Sequence, residues 1–328
     1  MSNPADSSSL SVAAEALRSS QLSQKTRFDA PLGPLTSYRV GGCAAALVTV
    51  DTRNDVSTLC EVLAGAEGSS DVALSVVGRG SNLLVSDDGF AGIVIVLGRD
   101  FAEISVRDKT IVAGAAAKLP VVARASVNAE LAGFEWAVGV PGSVGGAVRM
   151  NAGGHGAEIK DSLTSAQLVD LRTGEHVWRS NKDLEFSYRS SSVRATELVL
   201  EAHFELIPGD SAAGKAQLLE IVQWRRANQP GGQNAGSVFT NPDGDSAGRL
   251  IESVGAKGLR IGTAEVSPKH ANFIQADENG RAADILSLMK EIQRLVFEGH
   301  GIELVYETQL LGFDDVFGSG TDIHPDSR

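Results

Sequence analysis

The chain has 328 residues, of which 42% are hydrophobic and 21% are charged, so it is long enough for two globular domains with sizeable cores. Its net charge of −12 argues against a nucleic-acid or anionic-membrane partner, and no apolar run approaches the ~18 residues of a membrane span. Cys43 and Cys60 are too few for a disulfide framework or a cysteine-rich metal site. These features predict a cytoplasmic protein with reduced thiols, no metal, no membrane contact and no nucleic-acid partner.

In chain order, residues 1–25 are polar, contain no apolar signal segment, and are predicted to form a disordered tail. Short apolar or β-branched runs then predict a helix at 54–66, a hairpin turn at Thr173-Gly174, and strands at 44–50, 72–77, 93–97, 110–113, 167–171, 176–179 and 197–206. Beyond Pro208 the pattern predicts helices at 212–226, 246–254 and 282–298, and strands at 260–266, 271–276 and 304–311. We therefore expect a strand-rich domain over 26–208, a smaller α+β domain over 209–313, and a flexible tail over 314–328.

The first domain contains two glycine-rich loops, of which the first directly follows a predicted strand. The first, Gly78-Arg79-Gly80-Ser81-Asn82, lacks the third glycine of the dinucleotide fingerprint, but its backbone N–H groups can point at a phosphate. The second runs from Gly139 through Pro141, Gly142, Ser143, Gly145 and Gly146 to Asn151 and Gly153. Such a density of glycine favours backbone wrapped around a flat ligand or a pyrophosphate. A strand-to-strand turn and a packing contact between strands are the alternatives for the two loops.

A third loop, from Asn234 to Pro242, contains Ser237 directly after a glycine. It is not the G-x-S-x-G elbow, and no Asp–His pair is placed near it by any motif. On the residues alone, Ser237 can be a nucleophile, a proton donor or a helix cap, and capping is the commonest role of such a serine.

Taken in order, these segments resemble the UDP-N-acetylenolpyruvoylglucosamine reductase family. The resemblance covers about residues 38–312 and rests on the ordered series of segments 36–42, 78–84, 139–147, 150–153, 188–189, 235–242, 247–251, 257–258, 267–273 and Glu307.

The resemblance implies an α+β protein with an FAD-binding domain of the vanillyl-alcohol oxidase type, followed by a smaller substrate-binding domain. The implied reaction uses hydride from NADPH, carried by non-covalent FAD, to reduce the enolpyruvyl ether of a UDP-sugar to a lactyl ether. This step belongs to peptidoglycan precursor synthesis and so serves cell-wall biogenesis, cell shape and cell division. The resemblance implies that the two glycine loops bind FAD. The sequence shows no long unpartnered apolar helix, so we expect a monomer.

Three residues match the family's catalytic positions. Ser237 matches the proton donor, and a hydroxyl suffices because an enolate-like carbon is a strong base. Arg189 matches the residue that pairs with the substrate carboxylate, which a guanidinium can grip with two parallel hydrogen bonds. Glu307 is expected to orient that carboxylate or Arg189, or to act as a protonated donor. Expected substrate-binding residues are Tyr188, Asn241, Arg225 and Lys257.

The chain departs from the family pattern at several positions. His155 stands where the family often has Tyr, and Gln309 stands where it commonly has Arg. Arg225, Arg226 and Lys257 are candidates to replace that missing basic contact. The stretch between Leu206 and Ser237 contains no Tyr, which indicates the shorter subtype without a Tyr-bearing loop over the substrate diphosphate.

Other functions are weaker interpretations of the same residues. An FAD-dependent oxidase of the same superfamily, acting on another small substrate, would be favoured by a covalent flavin, yet only His155 offers an attachment point in the glycine loops. A flavin- or nucleotide-binding module without catalysis would have to lack Ser237, Arg189 or Glu307, and all three are present. A serine hydrolase lacks a partner histidine placed by any motif.

Overall fold

The computed structural model describes residues 4–66, 68 and 71–313. Within them the helices are α1 (Pro4–Ser19), α2 (Arg53–Gly65), α3 (Leu119–Asn128), α4 (Val144–Arg149), α5 (Ser211–Asn228), α6 (Ala247–Ser253) and α7 (Ala282–His300). The strands are β1 (Thr26–Pro31), β2 (Cys43–Val50), β3 (Ala73–Val76), β4 (Leu83–Val85), β5 (Phe90–Leu97), β6 (Ile104–Arg107), β7 (Thr110–Gly114), β8 (Leu131–Ala132), β9 (Gly153–Gly154), β10 (Ala157–Glu158), β11 (Leu163–Asp170), β12 (His176–Ser180), β13 (Glu197–Glu205), β14 (Ile207–Pro208), β15 (Arg260–Ile261), β16 (Ala264–Val266), β17 (Ile274–Ala276) and β18 (Gln309–Leu311). The predicted C-terminal tail, 314–328, lies outside the described residues.

The first lobe is a four-stranded sheet in the order β1-β2-β5-β3, in which β2, β5 and β3 are parallel and β1 is antiparallel. The predicted helix at 54–66 is confirmed as α2. It begins at Thr52, whose side chain accepts from the Asp55 N–H while the Asp55 carboxylate accepts from the Thr52 N–H, a reciprocal capping box. Val56, Leu59 and Leu63 bury one face of α2 in the same core as the sheet residues.

The second lobe is an antiparallel sheet in the order β12-β11-β13-β7-β6, joined to α3, α4 and α5 by one core. The rings of Phe134 and Phe204 pack in this core at a tilt of 54°, with centroids 4.9 Å apart. The predicted hairpin is confirmed, since β11 and β12 pair across a turn in which Gly174 has φ of 71°.

The C-terminal domain packs α6 and α7 against a three-stranded sheet in the order β15-β16-β17. The predicted helix at 282–298 is confirmed as α7, which ends at Gly301 in the left-handed conformation (φ 69°). The single strand predicted at 260–266 is wrong. The chain reverses there, because Gly262 has φ of 52°, and β15 and β16 form a hairpin.

Packing places the boundary between the two domains after α5. Leu218 and Ile221 of α5 lie in the core of the second lobe, and a Cβ on Gly214 would lie only 2.8 Å from a methyl of Val127 on α3. The boundary predicted at Pro208 had assigned α5 to the C-terminal domain. We place it instead after Asn228.

The two domains share backbone and core contacts. β18, near the end of the described chain, pairs in parallel with β4 of the first domain. Tyr38, Val40 and Leu84 of the first domain lie in the core of the C-terminal domain. Residues on the two sides of the boundary are therefore held at fixed positions relative to one another.

The prediction of a disordered tail over residues 1–25 is wrong for the described part of that segment. Residues 4–19 form α1, and Ala13 and Leu17 are fully buried in the core of the first lobe with Leu22. The low overall hydrophobicity of the segment suggested disorder. The spacing of Leu10, Ala13 and Leu17 is nevertheless that of one helical face.

Replacement of Leu17 by alanine tests whether α1 is part of the folded domain. We expect the free energy of unfolding to fall by about 2–5 kcal/mol, because the side chain is fully buried and its removal leaves a cavity. Val12 on the same helix is 43% exposed, so Val12→Ala is the matched control and should change stability by about 0.5 kcal/mol or less. Chemical denaturation measures both, and equal, small effects would contradict a docked α1.

Candidate active site

A cleft of about 780 Å³ lies between the two lobes of the first domain and reaches the C-terminal domain. Five residues of the two predicted glycine loops line it: Gly78, Arg79, Ser143, Gly145 and Gly146. The loops touch one another, since a Cβ on Gly78 would clash with Ser143 Oγ and a Cβ on Gly142 would lie 3.8 Å from Ser81 Oγ. Residues 65 positions apart thus form one surface.

The other residues predicted to bind the cofactor are not among those that line the cleft. Gly80 (φ 54°) packs against the Leu35 carbonyl, and Gly139 packs against Ile221 and His155. Pro141 is not among the lining residues. The buried Asn151 donates from Nδ2 to Glu158 Oε2 (2.8 Å) and to the Ser187 carbonyl (2.9 Å).

Asn82 and Gly153 connect the first domain to the predicted catalytic residues. Asn82 Nδ2 donates to the Glu307 carbonyl at 2.9 Å, and the Asn82 carbonyl accepts from the Gln309 N–H at 3.0 Å. The Gly153 carbonyl accepts from Arg189 at 3.3 Å. In the structure Asn82 therefore holds the backbone of Glu307, and Gly153 holds the side chain of Arg189, contacts that the sequence did not predict.

The cleft is basic although the whole chain is acidic. Four basic residues line it, and the single acidic one, Glu197, is already paired with Arg179 and Arg194. The net local charge suits an anionic ligand. The four are Arg39, Arg79, Lys118 and Arg149. Sequence reasoning named only Arg79. Arg39 belongs to the Thr36–Gly42 motif and could have been found there, whereas Lys118 stands in no motif.

The residues of the cleft fit FAD. A Cβ on Gly146 would meet only Ser143 Oγ, at 3.6 Å, so the backbone is bare where a ligand has to approach closely. Gln233 also lines the cleft, and its buried Oε1 has no hydrogen-bond partner among the described residues. Basic side chains for a diphosphate, bare backbone and an unsatisfied polar atom are what an extended dinucleotide ligand requires.

Tyr188 and Arg189 occupy the tip of a tight turn. The backbone groups of Ser187 and Ser190 pair with each other on either side, and Arg189 adopts a left-handed conformation with φ of 57°. Arg189 Nε donates to Glu307 Oε1 at 3.0 Å, and its guanidinium carbon lies 4.9 Å from the centroid of the Tyr188 ring. A hydrogen-bonded ion pair thus joins the first domain to the C-terminal domain.

Ser237 lies beside Glu307 through the backbone of Val238. The Val238 carbonyl accepts from the Glu307 N–H at 2.8 Å, and the Val238 N–H donates to the Asn272 carbonyl at 2.9 Å. Ser237 is half-buried and caps no helix, and its hydroxyl hydrogen-bonds to none of the described residues. The structure therefore brings Arg189, Ser237 and Glu307 together at the boundary between the two domains.

The environment of Glu307 favours its neutral form more than water does. Burial raises the pKa of Glu307, and the attraction and hydrogen bond of Arg189 oppose that shift without cancelling it. The Glu307 side chain keeps 18% exposure, and its backbone carbonyl is held by Asn82 and by Gln309 Nε2 (3.2 Å). Gln309, at the position where an arginine was expected, therefore supports the Glu307 backbone.

The predicted substrate-binding residues have different surroundings. Tyr188 is 51% exposed next to Arg189. Arg225 Nε donates to Gln229 Oε1 at 2.7 Å, and the Arg225 charge adds to burial in lowering the pKa of the neighbouring His155. Asn241 Oδ1 accepts from the Ala247 N–H at the start of α6, and Lys257 Nζ pairs with Glu252 at 3.1 Å. The contacts of Asn241 and Lys257 do not connect them to Arg189, Ser237 or Glu307.

Comparison with known proteins identifies the family. The chain is 44% identical over 286 residues to the UDP-N-acetylenolpyruvoylglucosamine reductase of Paramagnetospirillum magneticum, covering 87% of this chain and 91% of that protein. The chain belongs to the UDP-N-acetylenolpyruvoylglucosamine reductase family. The reductase of Bradyrhizobium sp. is 38% identical to this chain over 314 residues. That alignment covers 95% of this chain and 99% of the Bradyrhizobium protein. These relatives confirm the resemblance and favour the reductase over the oxidase interpretation.

Family models and a solved structure agree with this membership. Residues 44–180 match an FAD binding domain, and residues 227–311 match the UDP-N-acetylenolpyruvoylglucosamine reductase C-terminal domain. The crystal structure of the family member from Thermus caldophilus superimposes with a TM-score of 0.74 at 32% identity, covering 87% of this chain and 98% of that one. The predicted α+β fold, an FAD-binding domain followed by a second domain, is confirmed.

Proposed function

We propose that this reductase converts the enolpyruvyl ether of UDP-N-acetylglucosamine to the lactyl ether, UDP-N-acetylmuramate, with FAD as its cofactor and NADPH as the hydride donor. The observation that carries the proposal is the Arg189–Glu307 ion pair, which stands beside the loop of Ser237 at the boundary between the two domains. A carboxylate-binding cation and a proton donor are what this reduction requires from the protein.

Bound FAD would supply the hydride chemistry, with NADPH as the hydride source and the alkene carbon distal to the substrate carboxylate as the acceptor. Gly78, Arg79, Ser143, Gly145 and Gly146 would hold FAD in the cleft. The lining of the cleft contains neither His nor Cys, so the described residues there offer no site for a covalent flavin.

The side chains of the chain supply binding, charge stabilisation and one proton. Arg189 grips the substrate carboxylate and stabilises the negative charge that spreads onto it as hydride arrives. Glu307 orients the guanidinium through the 3.0 Å hydrogen bond. Ser237 Oγ donates a proton to the carboxylate-bearing carbon and regains one from solvent, so one hydride and one proton are added in total.

An anaerobic absorbance titration tests the proposed function. We expect NADPH to bleach the flavin bands and UDP-N-acetylglucosamine enolpyruvate to restore them, while UDP-N-acetylglucosamine, which lacks the alkene, leaves the flavin reduced. Recovery with oxygen alone would contradict the proposed substrate and would support an oxidase.

We also propose a cytoplasmic monomer of the shorter subtype. Cys43 and Cys60 are both free thiols, and α5 fills most of the interval between Leu206 and Ser237. In the part of the chain that the structure describes, every helix is too short or too polar to cross a membrane.

A further inference from the structure

Gln233 belongs to the C-terminal domain and lines the cleft. All other lining residues belong to the first domain, apart from the neighbouring Gly232. Gln233 stands just before the 235–242 segment that carries the family resemblance. Its backbone is fixed, because the Gln233 carbonyl accepts from the Ala276 N–H on β17 at 2.9 Å.

The side-chain oxygen of Gln233 is buried and has no hydrogen-bond partner among the described residues. Buried amide oxygens are nearly always hydrogen-bonded, so an exception calls for a specific explanation. Gln233 lines a cleft whose other walls fit FAD. FAD has N–H donors on its two ring systems and O–H donors on its ribityl chain and ribose, whereas its diphosphate only accepts. A donor from the cofactor is therefore the simplest partner for Gln233 Oε1.

The next residue, Asn234, fixes the path from Gln233 to Ser237. Asn234 Nδ2 donates to the carbonyls of Gly231 and Gly232, both at 3.2 Å, and Asn234 Oδ1 accepts from the Gly236 N–H at 3.1 Å. Gly236 adopts φ of 77°, and Ser237 follows it. A hydrogen bond that restrains the Gln233 side chain would therefore also restrain Gly236, the residue directly before Ser237.

We propose that Gln233 Oε1 accepts a hydrogen bond from bound FAD and that this bond orders the loop that presents Ser237. The inference rests on the proposed function for the identity of the cofactor. It makes Gln233 a cofactor-binding residue and, through Asn234, a positioning residue for Ser237.

Titration of the flavin-free full-length protein with FAD, followed by flavin fluorescence, tests the hydrogen bond. Gln233→Met keeps the length of the side chain without an acceptor, and we expect its Kd for FAD to rise about 3- to 10-fold, the effect of one neutral hydrogen bond. Gln233→Glu keeps the acceptor and should stay within about 2-fold of the native Kd. Gln217→Met, at an exposed position on α5, is the matched control and should bind FAD as the native protein does.

Two outcomes are decisive. Native affinity in Gln233→Met would overturn the inference, because the side-chain acceptor would then contribute nothing to FAD binding. Failure of the native protein to bind any FAD would instead overturn the proposed function.

Hydrogen exchange tests the ordering of the loop. At saturating FAD, the native protein should exchange the amides of 234–238 more slowly than the flavin-free protein. Gln233→Met, equally saturated, should lose most of that protection while Gln217→Met keeps it. Full protection in saturated Gln233→Met would show that the loop does not depend on Gln233.

Discussion

Replacing Ser237 with alanine will leave the reduction of bound flavin by NADPH at the native rate and will slow reoxidation by the enolpyruvyl substrate by about 10²–10⁴-fold, the contribution of a positioned general acid. The reason is that hydride transfer to the flavin requires no proton from Ser237, whereas reduction of the alkene does. The Ser237 hydroxyl hydrogen-bonds to none of the described residues, so its removal breaks no hydrogen bond shown there.

Stopped-flow absorbance under anaerobic conditions measures the two half-reactions separately. Ser246→Ala is the matched control, because Ser246 is exposed and its side chain caps α6 by accepting from the Arg249 N–H. That variant should lose about 1 kcal/mol of stability and keep both half-reactions. If Ser237→Ala slows both half-reactions equally, the serine acts on the flavin or on the fold, and its assignment as proton donor is wrong.

Local patterns predicted most helices and strands, but the contacts that join the domains depend on long-range pairing. Arg189 and Glu307 lie 118 positions apart, so local spacing does not predict their ion pair. The cap of α7 shows the same limit. Asp87, 195 positions before the helix, accepts from the Ala282 and Ala283 N–H groups at 2.9 and 3.0 Å, while the adjacent Arg281 makes no side-chain cap.

The family resemblance predicted the catalytic residues, while the structure adds contacts to the glycine-loop residues that the sequence did not predict. Asn82 is expected to bind the cofactor, and in the structure its side chain also holds the Glu307 backbone. Lys118 and Arg149 also line the cleft. Lys118 directly precedes α3 and Arg149 ends α4, and neither residue belongs to a phosphate-binding motif in the sequence. Side-chain direction at such positions follows from tertiary packing, which spacing in one sequence does not specify.

Replacing Glu307 with glutamine will slow reoxidation by substrate about 10²-fold, the size of effect expected when a reacting group is misplaced by about 1 Å. Glutamine keeps the shape of the side chain but removes the charge that holds the Arg189 guanidinium at 3.0 Å. FAD retention should be native, because Glu307 is absent from the lining of the cleft. Glu303→Gln, at an exposed position on the same segment, is the matched control.

The pH profile separates the two roles that Glu307 can have. Burial raises its pKa, so Glu307 gains a proton at a higher pH than an ordinary glutamate does. If the ionised form orients Arg189, native reoxidation falls as the pH drops through that raised pKa, and Glu307→Gln, already slow, lacks this acidic limb. If a protonated Glu307 acted as donor, native reoxidation would instead fall as the pH rose through the same pKa. The hydrogen bond from Arg189 Nε favours the first result, because a carboxylate accepts it best when ionised.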